Sequence, residues 1–190
     1  MENKFPLNSL GLTHWFMAQH IRPGDYCIDA TAGKGRDTLF LCQLVGESGR
    51  VLALDIQPDA VAQTTALLAA NGCADRAQVV LDCHSHLAAY ADRESVDGIM
   101  FNFGWLPGGD HTAFSQPDTS VAAIRAGLEL LKPGGVMSLC IYYGRNNGTA
   151  ERDAILAFLP TIDNRRYTVI RGDFVNRTGD VPIPVFIIKE

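Results

Sequence analysis

Five short apolar runs, each followed by a stretch of different character, constrain the fold of this chain more than any other feature. They are Tyr26–Asp29, Val51–Asp55, Ala77–Leu81, Asp97–Asn102 and Gly135–Tyr142. Helical patterns are expected near 37–45, 58–71 and 119–131. Strands that alternate with helices pair in parallel, so the pattern predicts an open parallel sheet. The second helix opens on Pro58-Asp59, suited to a first turn, and stops at Asn71-Gly72. The third is entered through Asp118 and Thr119 and leaves through a turn at Lys132-Pro133-Gly134-Gly135. After a further helix near 149–159 the pattern changes. Tyr167–Val175 and Val181–Lys189 read as strands joined by five residues, Asn176–Asp180, too few for a crossover, so they form an antiparallel hairpin.

At 190 residues the chain is expected to be one domain, residues 1–190. With 47% hydrophobic and 19% charged residues it can bury a substantial core, which excludes disorder. A net charge of -5 excludes a non-specific nucleic-acid coat but allows a small basic patch. No apolar run approaches the roughly 18 residues of a membrane span, and MENKFPLNSL lacks the pattern of a signal peptide, so a cytoplasmic protein without membrane contact is expected. The five cysteines are odd in number and form no C-x-x-C pair, so neither a disulfide framework nor a metal site is expected.

The segment Asp29-Ala30-Thr31-Ala32-Gly33-Lys34-Gly35-Arg36-Asp37-Thr38 follows the first strand, where open α/β sheets bind ligands. Small residues such as Ala30, Gly33 and Gly35 let backbone approach a ligand, and the next helix offers free N–H groups. A nicotinamide cofactor wants G-x-G-x-x-G, but Thr38 occupies the third glycine position. Asp29 and Asp37 flank the glycines and would repel a pyrophosphate. The same carboxylates suit S-adenosylmethionine, which carries an ammonium and a sulfonium but no phosphate. Asp55, with Ile56 and Gln57 behind it, closes the second strand and is placed for a ribose diol, which serves either cofactor. Asp82-Cys83-His84 closes the third and is expected near an adenine, although His84 also reads as a solvated loop histidine.

Phe101-Asn102-Phe103-Gly104-Trp105-Leu106-Pro107-Gly108-Gly109-Asp110-His111 follows the fourth strand and is the expected reaction loop. An Asn, then two residues, then an aromatic, as in Asn102-Phe103-Gly104-Trp105, is similar to the N-P-P-Y/F arrangement of methyltransferases that act on amino groups. That resemblance implies that Asn102 orients the nucleophile and Trp105 is a platform for it. Asp110 and His111 could accept a proton and orient the group, or serve only the shape of a Gly-Gly-Asp-His turn.

DATAGKGRDTLFL, LALDIQ, DCHSHL and FNFGWLPGGDH together resemble the YtqB-like or MnmM family of small class I methyltransferases, long labelled rRNA methylases. The resemblance covers nearly the whole chain. It implies a three-layer Rossmann-like α/β fold, a seven-stranded mixed sheet with an antiparallel C-terminal hairpin, and transfer of a methyl group to the aminomethyl nitrogen of a 2-thiouridine at the tRNA wobble position. By position it implies cofactor contacts at Lys34, Arg36, Asp37, Asp55, Gln57, Cys83 and His84. The family pattern has asparagines at Lys34 and Arg36 and a serine at Cys83, so the two cations could instead face RNA phosphate.

Arg165, Arg166, Arg171 and Arg177, with Arg145 after the fifth strand, offer a modest footprint for a tRNA anticodon region, with Tyr142 and Tyr143 available for stacking. Three alternatives remain open at this point: methylation of rRNA or another small substrate, a cofactor-binding RNA module without turnover, and a nicotinamide-dependent oxidoreductase. The oligomeric state is also open, a homodimer included.

Overall fold

In the computed structural model residues 5–104, 116–144 and 148–190 are described. They form a seven-stranded sheet in the order β3-β2-β1-β4-β5-β7-β6. The strands are β1 (Tyr26–Asp29), β2 (Arg50–Asp55), β3 (Ala77–Leu81), β4 (Val96–Phe103), β5 (Leu131–Ile141), β6 (Tyr167–Arg171) and β7 (Ile183–Lys189). β1 to β5 are parallel, and β7 inserts antiparallel between β5 and β6.

The helices are α1 (Ser9–His20), α2 (Arg36–Val45), α3 (Pro58–Ala70), α4 (Pro117–Leu130) and α5 (Thr149–Phe158). Two cores make three layers. On one face Phe16 and Met17 of α1, Leu41 and Val45 of α2 and Leu68 of α3 bury against Cys27, Val51 and Met100 of the sheet. On the other, Ile124 and Leu128 of α4 and Ile155 of α5 bury against Ile28, Leu54, Ile99, Phe101 and Leu139. Covering both faces is what lets successive residues such as Cys27-Ile28 of β1 and Ile99-Met100-Phe101 of β4 all be apolar. No helix among the described residues is long and apolar enough to cross a membrane.

Three features differ from the sequence-based expectation. α1 is a helix that the strand-and-helix alternation does not announce; Asn8 caps it by accepting from the Gly11 N–H at 2.8 Å. It reaches across to the antiparallel part of the sheet, where the ring centroids of Phe16 and Phe186 of β7 lie 4.8 Å apart. Lys132–Gly135, expected as a turn, lies within β5 as an irregularity, where pairing jumps from Val96 opposite Leu131 to Gly98 opposite Val136. The hairpin strands are shorter than their apolar runs: pairing ends at Arg171 opposite Val185 and Val175 is 92% exposed, so residues 172–182 connect them.

Candidate active site

β1 and β4 are adjacent, and the crossovers leave in opposite directions from this pair: β2 and β3 lie to one side, β5 to the other. The crevice at the carboxyl ends of such a pair is the ligand site of open α/β sheets. Asp29 ends β1, and Asn102 lies one residue before the end of β4.

The loop from β1 into α2 is shaped by Gly33 and Gly35, at φ of +54° and +78°. At Gly35 a Cβ would stand 2.8 Å from the Thr64 Cα, so both the backbone sign and the contact with α3 require glycine. The Thr64 hydroxyl donates to the Gly33 carbonyl at 3.2 Å. Asp55 closes the arrangement from β2, accepting the Gly33 N–H at 2.8 Å and the Gln57 N–H at 2.9 Å. Its carboxylate is only partly buried, and two oxygens offer more acceptor positions than these two bonds use. Beside it Ile56 is 45% exposed, an apolar surface next to a hydrogen-bonding edge.

Asp29 does not face the crevice as an open counter-ion. It is completely buried, accepting the Thr38 hydroxyl at 2.6 Å and the Thr31 N–H at 3.2 Å. Burial first, and then the nearby Asp37 carboxylate, push its pKa up to about 7. Thr38 at the third glycine position is therefore the hydrogen-bond partner of the β1 aspartate, not merely a departure from a nicotinamide fingerprint.

Asp37, buried in the first turn of α2, links two elements. One oxygen meets His14 Nε2 of α1 at 2.6 Å, and the other accepts from the Asn102 side-chain amide. The Asn102 N–H donates to the Thr31 hydroxyl at 2.7 Å, which completes a chain back to Asp29. Among the described residues the buried Asn102 carboxamide oxygen has no hydrogen-bond partner. His14 is the residue that sequence reasoning missed. Asn8 before an apolar stretch and Pro23-Gly24 after it signal a helix, but nothing local places His14 against Asp37.

At the end of β3, Asp82 accepts from the Tyr90 hydroxyl at 2.6 Å, the Cys83 N–H at 2.7 Å and His86 Nδ1 at 2.7 Å, which together hold its carboxyl down to about 2. Cys83 accepts from the Ser85 hydroxyl at 3.1 Å. His84 is not a solvated loop residue. It is buried edge-on to Phe101 and Phe103, ring centroids 6.2 and 5.9 Å away, and burial lowers its pKa to about 4. Its Nε2 has no partner among the described residues.

Lys34 and Arg36 are exposed on the glycine loop. Trp105, Asp110, His111 and Arg145 lie outside the described residues. The remaining arginines are not brought together. Arg171 ends β6, which runs parallel to β5, and so lies toward the crevice end. Arg177 donates to the Leu7 carbonyl at 2.5 Å and covers Phe174. Arg165 and Arg166 precede β6, at the opposite end of the sheet, where Arg166 pairs with Glu129 at 3.1 Å. A cavity of about 270 Å³ also opens among the starting residues of β1, β2 and β3, away from this crevice.

Residues 51–188 match the family described as "Putative rRNA methylase". The chain belongs to this methylase family. A curated relative from Arabidopsis thaliana, the chloroplastic tRNA (mnm(5)s(2)U34)-methyltransferase, is 35% identical over 94% of this chain and 68% of its own length. Among solved structures, the family protein from Clostridium thermocellum is 40% identical with a TM-score of 0.94, covering 97% of this chain and 99% of its own. SMU.1697c of Streptococcus mutans, described as a "putative methyltransferase" and solved in complex with SAH, is 32% identical with a TM-score of 0.87, again covering 97% of this chain and 99% of its own. The methylase family match begins at β2, so the glycine loop and α1 lie upstream of it.

Proposed function

We propose that this methylase transfers the methyl group of S-adenosylmethionine to the aminomethyl nitrogen of a 5-aminomethyl-2-thiouridine at the wobble position of tRNA. The likeness to the Arabidopsis tRNA methyltransferase, extending over 94% of the chain, carries the choice of nucleoside. The site supports the choice of an amine, because it keeps a buried carboxamide oxygen without a partner among the described residues at the end of β4.

The residues present fit this cofactor. Asp55 has acceptor capacity left for a diol, Ile56 offers an apolar face beside it, and the glycine loop brings backbone close without a phosphate-seeking cation buried in it. Cys83 and the buried His84 stand at the neighbouring strand end, with Gln57 behind Asp55. When bound, S-adenosylmethionine supplies an electrophilic methyl group on a sulfonium. The rest is done by the chain. Asn102 accepts an N–H of the amine through its free oxygen and so aims the nitrogen lone pair. Alignment of this kind can remove roughly 7–11 kcal/mol of barrier in well-oriented cases.

An alkyl amine is largely protonated at neutral pH and has to lose that proton before it can attack. Asp110 and His111, a few residues past Asn102 in sequence, are the proposed acceptors, and Trp105 the proposed platform. The rate is therefore expected to rise with pH until the bound amine is neutral. Arg171, and the exposed Lys34 and Arg36, are the cations placed to meet tRNA backbone from the crevice end.

The direct test supplies purified enzyme, methyl-labelled cofactor and tRNA bearing 5-aminomethyl-2-thiouridine, beside the same tRNA without the aminomethyl group. Label is expected in the first and not the second. Equal labelling of both, or labelling of ribosomal RNA alone, overturns the assignment of the acceptor.

A further inference from the structure

We propose that His14 is a positioning residue for methyl transfer, acting through Asp37 on the Asn102 carboxamide. The proposal rests on the reading of Asn102 as the group that orients the amine, and adds the device that fixes which way its carboxamide faces.

An asparagine amide is nearly symmetric in shape, and a half-turn about its last bond exchanges a donor for an acceptor. An acceptor aimed at an amine N–H is useful in only one of the two orientations. Here the choice is made by Asp37. An ionised carboxylate only accepts, so the amide nitrogen of Asn102 must face it, and the amide oxygen is left buried and without a partner. The fixed point of the chain is then Asp37, whose other oxygen meets His14 Nε2 at 2.6 Å.

That contact is itself held. The His14 ring lies nearly parallel to Phe40 of α2, 11° between planes and 4.1 Å between centroids. Phe5 meets the Phe40 ring edge-on at 6.2 Å. α1 is anchored on the sheet by close contact at Gly98, where a Cβ would stand 2.5 Å from Ile21 and 2.8 Å from Met17. The imidazole is thus set by packing on one side and presents Nε2 to the carboxylate on the other. Against an acceptor-only carboxylate, Nε2 carries the proton. Loss of this donor leaves Asp37 free to turn, and the Asn102 amide loses its reason to face one way.

Three substitutions separate the roles of the imidazole. His14→Phe keeps a ring to stack on Phe40 but offers no donor. His14→Gln places an amide N–H near the position of Nε2 but does not stack. His14→Ala removes both. A misplacement of the reacting groups by about 1 Å can cost on the order of 100-fold, so His14→Phe and His14→Ala are expected to lower kcat by roughly 10- to 100-fold. The tRNA KM and the cofactor Kd should stay within about threefold, as for an interaction that serves only the transition state. His14→Gln should recover most of kcat. In an Asn102→Ala background, His14→Phe should add little further loss, because the group it positions is already gone.

Full activity of His14→Phe overturns the proposal, since packing alone would then suffice. So does full additivity of His14→Phe with Asn102→Ala. A readout without turnover separates this failure from failure of the amine-methylation reading: the Asn102 side-chain amide resonances of the labelled protein should move in His14→Phe and return toward the parent in His14→Gln. If the parent methylates no amine but the resonances follow this pattern, the structural chain stands and the substrate reading falls. If the resonances do not respond, the chain from His14 to Asn102 is absent.

Discussion

Asp29 and His84 bend the pH dependence of stability in opposite directions, and replacing one exposes the other. Asp29 is raised from 3.8 to about 7, mainly by burial. Its folded form holds a proton that the unfolded chain has already released, so its contribution is fully present below about pH 4 and is lost as pH rises through 7. His84 is lowered from 6.5 to about 4, again by burial. The unfolded chain takes up a proton that folded His84 refuses, so this stability is present above pH 6.5 and is lost as pH falls toward 4. Each slope is about 1.4 kcal/mol per pH unit. Between about pH 4 and 6.5 the two offset. Asp29→Asn removes one of them while leaving an acceptor oxygen for Thr38 or Thr31. Relative to the parent, Asp29→Asn should gain stability as pH rises from 4 toward 7, with a slope approaching about 1.4 kcal/mol per unit, on top of a constant offset from the changed hydrogen bonds. His84→Phe should show the opposite relative slope between 4 and 6.5. Urea unfolding at half-unit pH intervals gives these differences directly, and subtracting the parent removes the contribution of groups that do not interact with the replaced one. A difference between Asp29→Asn and the parent that stays flat from pH 4 to 7 would refute the argument, because Asp29 would then be ionised in the fold throughout.

Further expectations follow from the site and the surface around it. Asp55→Ala should weaken S-adenosylmethionine binding by about 1–3 kcal/mol, the cost of an unsatisfied polar partner, in a calorimetric titration; unchanged affinity would remove Asp55 from the cofactor site. Gly35→Ala, with φ of +78° and Thr64 2.8 Å from the new carbon, should lower the unfolding free energy by about 1–2 kcal/mol or more, and a neutral result in thermal melts would contradict the tight loop. Asn102→Ala should depress kcat with cofactor Kd nearly unchanged; equal losses in both would indicate a collapsed crevice. Arg171→Ala should raise the tRNA KM and reduce the salt dependence of binding, whereas Arg165→Ala, at the far end of the sheet, should do neither; the reverse order would place the RNA on the opposite end.

The parallel half of the sheet was legible because β1, β2 and β4 are buried on both faces and carry short apolar runs, such as Ile99-Met100-Phe101, between helix signals. The glycine loop was legible for the same local reason, since residues that tolerate positive φ stand together at a strand end. Legibility failed where pairing or burial depends on a distant element. Phe174 and Val175 are apolar but have no strand opposite, because β7 pairs only as far as Ile183. His84 looks like a loop residue until Phe101 and Phe103 of β4 close over it. Asp29 looks like an open counter-ion until Thr38 takes its oxygen. The largest gap is His14, whose place in the site depends on α1 docking beside α2, a contact that no spacing within residues 9–20 encodes. The arginines failed because Arg165 and Arg166 precede β6 and Arg171 ends it, so the length of one strand holds them at opposite ends of the sheet.

Methyl transfer to an aminomethyl group of the wobble nucleoside leaves a signature in cellular tRNA. Nucleosides from purified tRNA of a strain lacking this gene, and of the same strain carrying it on a plasmid, are separated and weighed by mass spectrometry. 5-Aminomethyl-2-thiouridine should accumulate in the first strain at the expense of its N-methylated form, and the plasmid should reverse this unless it carries Asn102→Ala. Unchanged amounts of both nucleosides in the deletion strain, with a methyl group missing from ribosomal RNA instead, would contradict it.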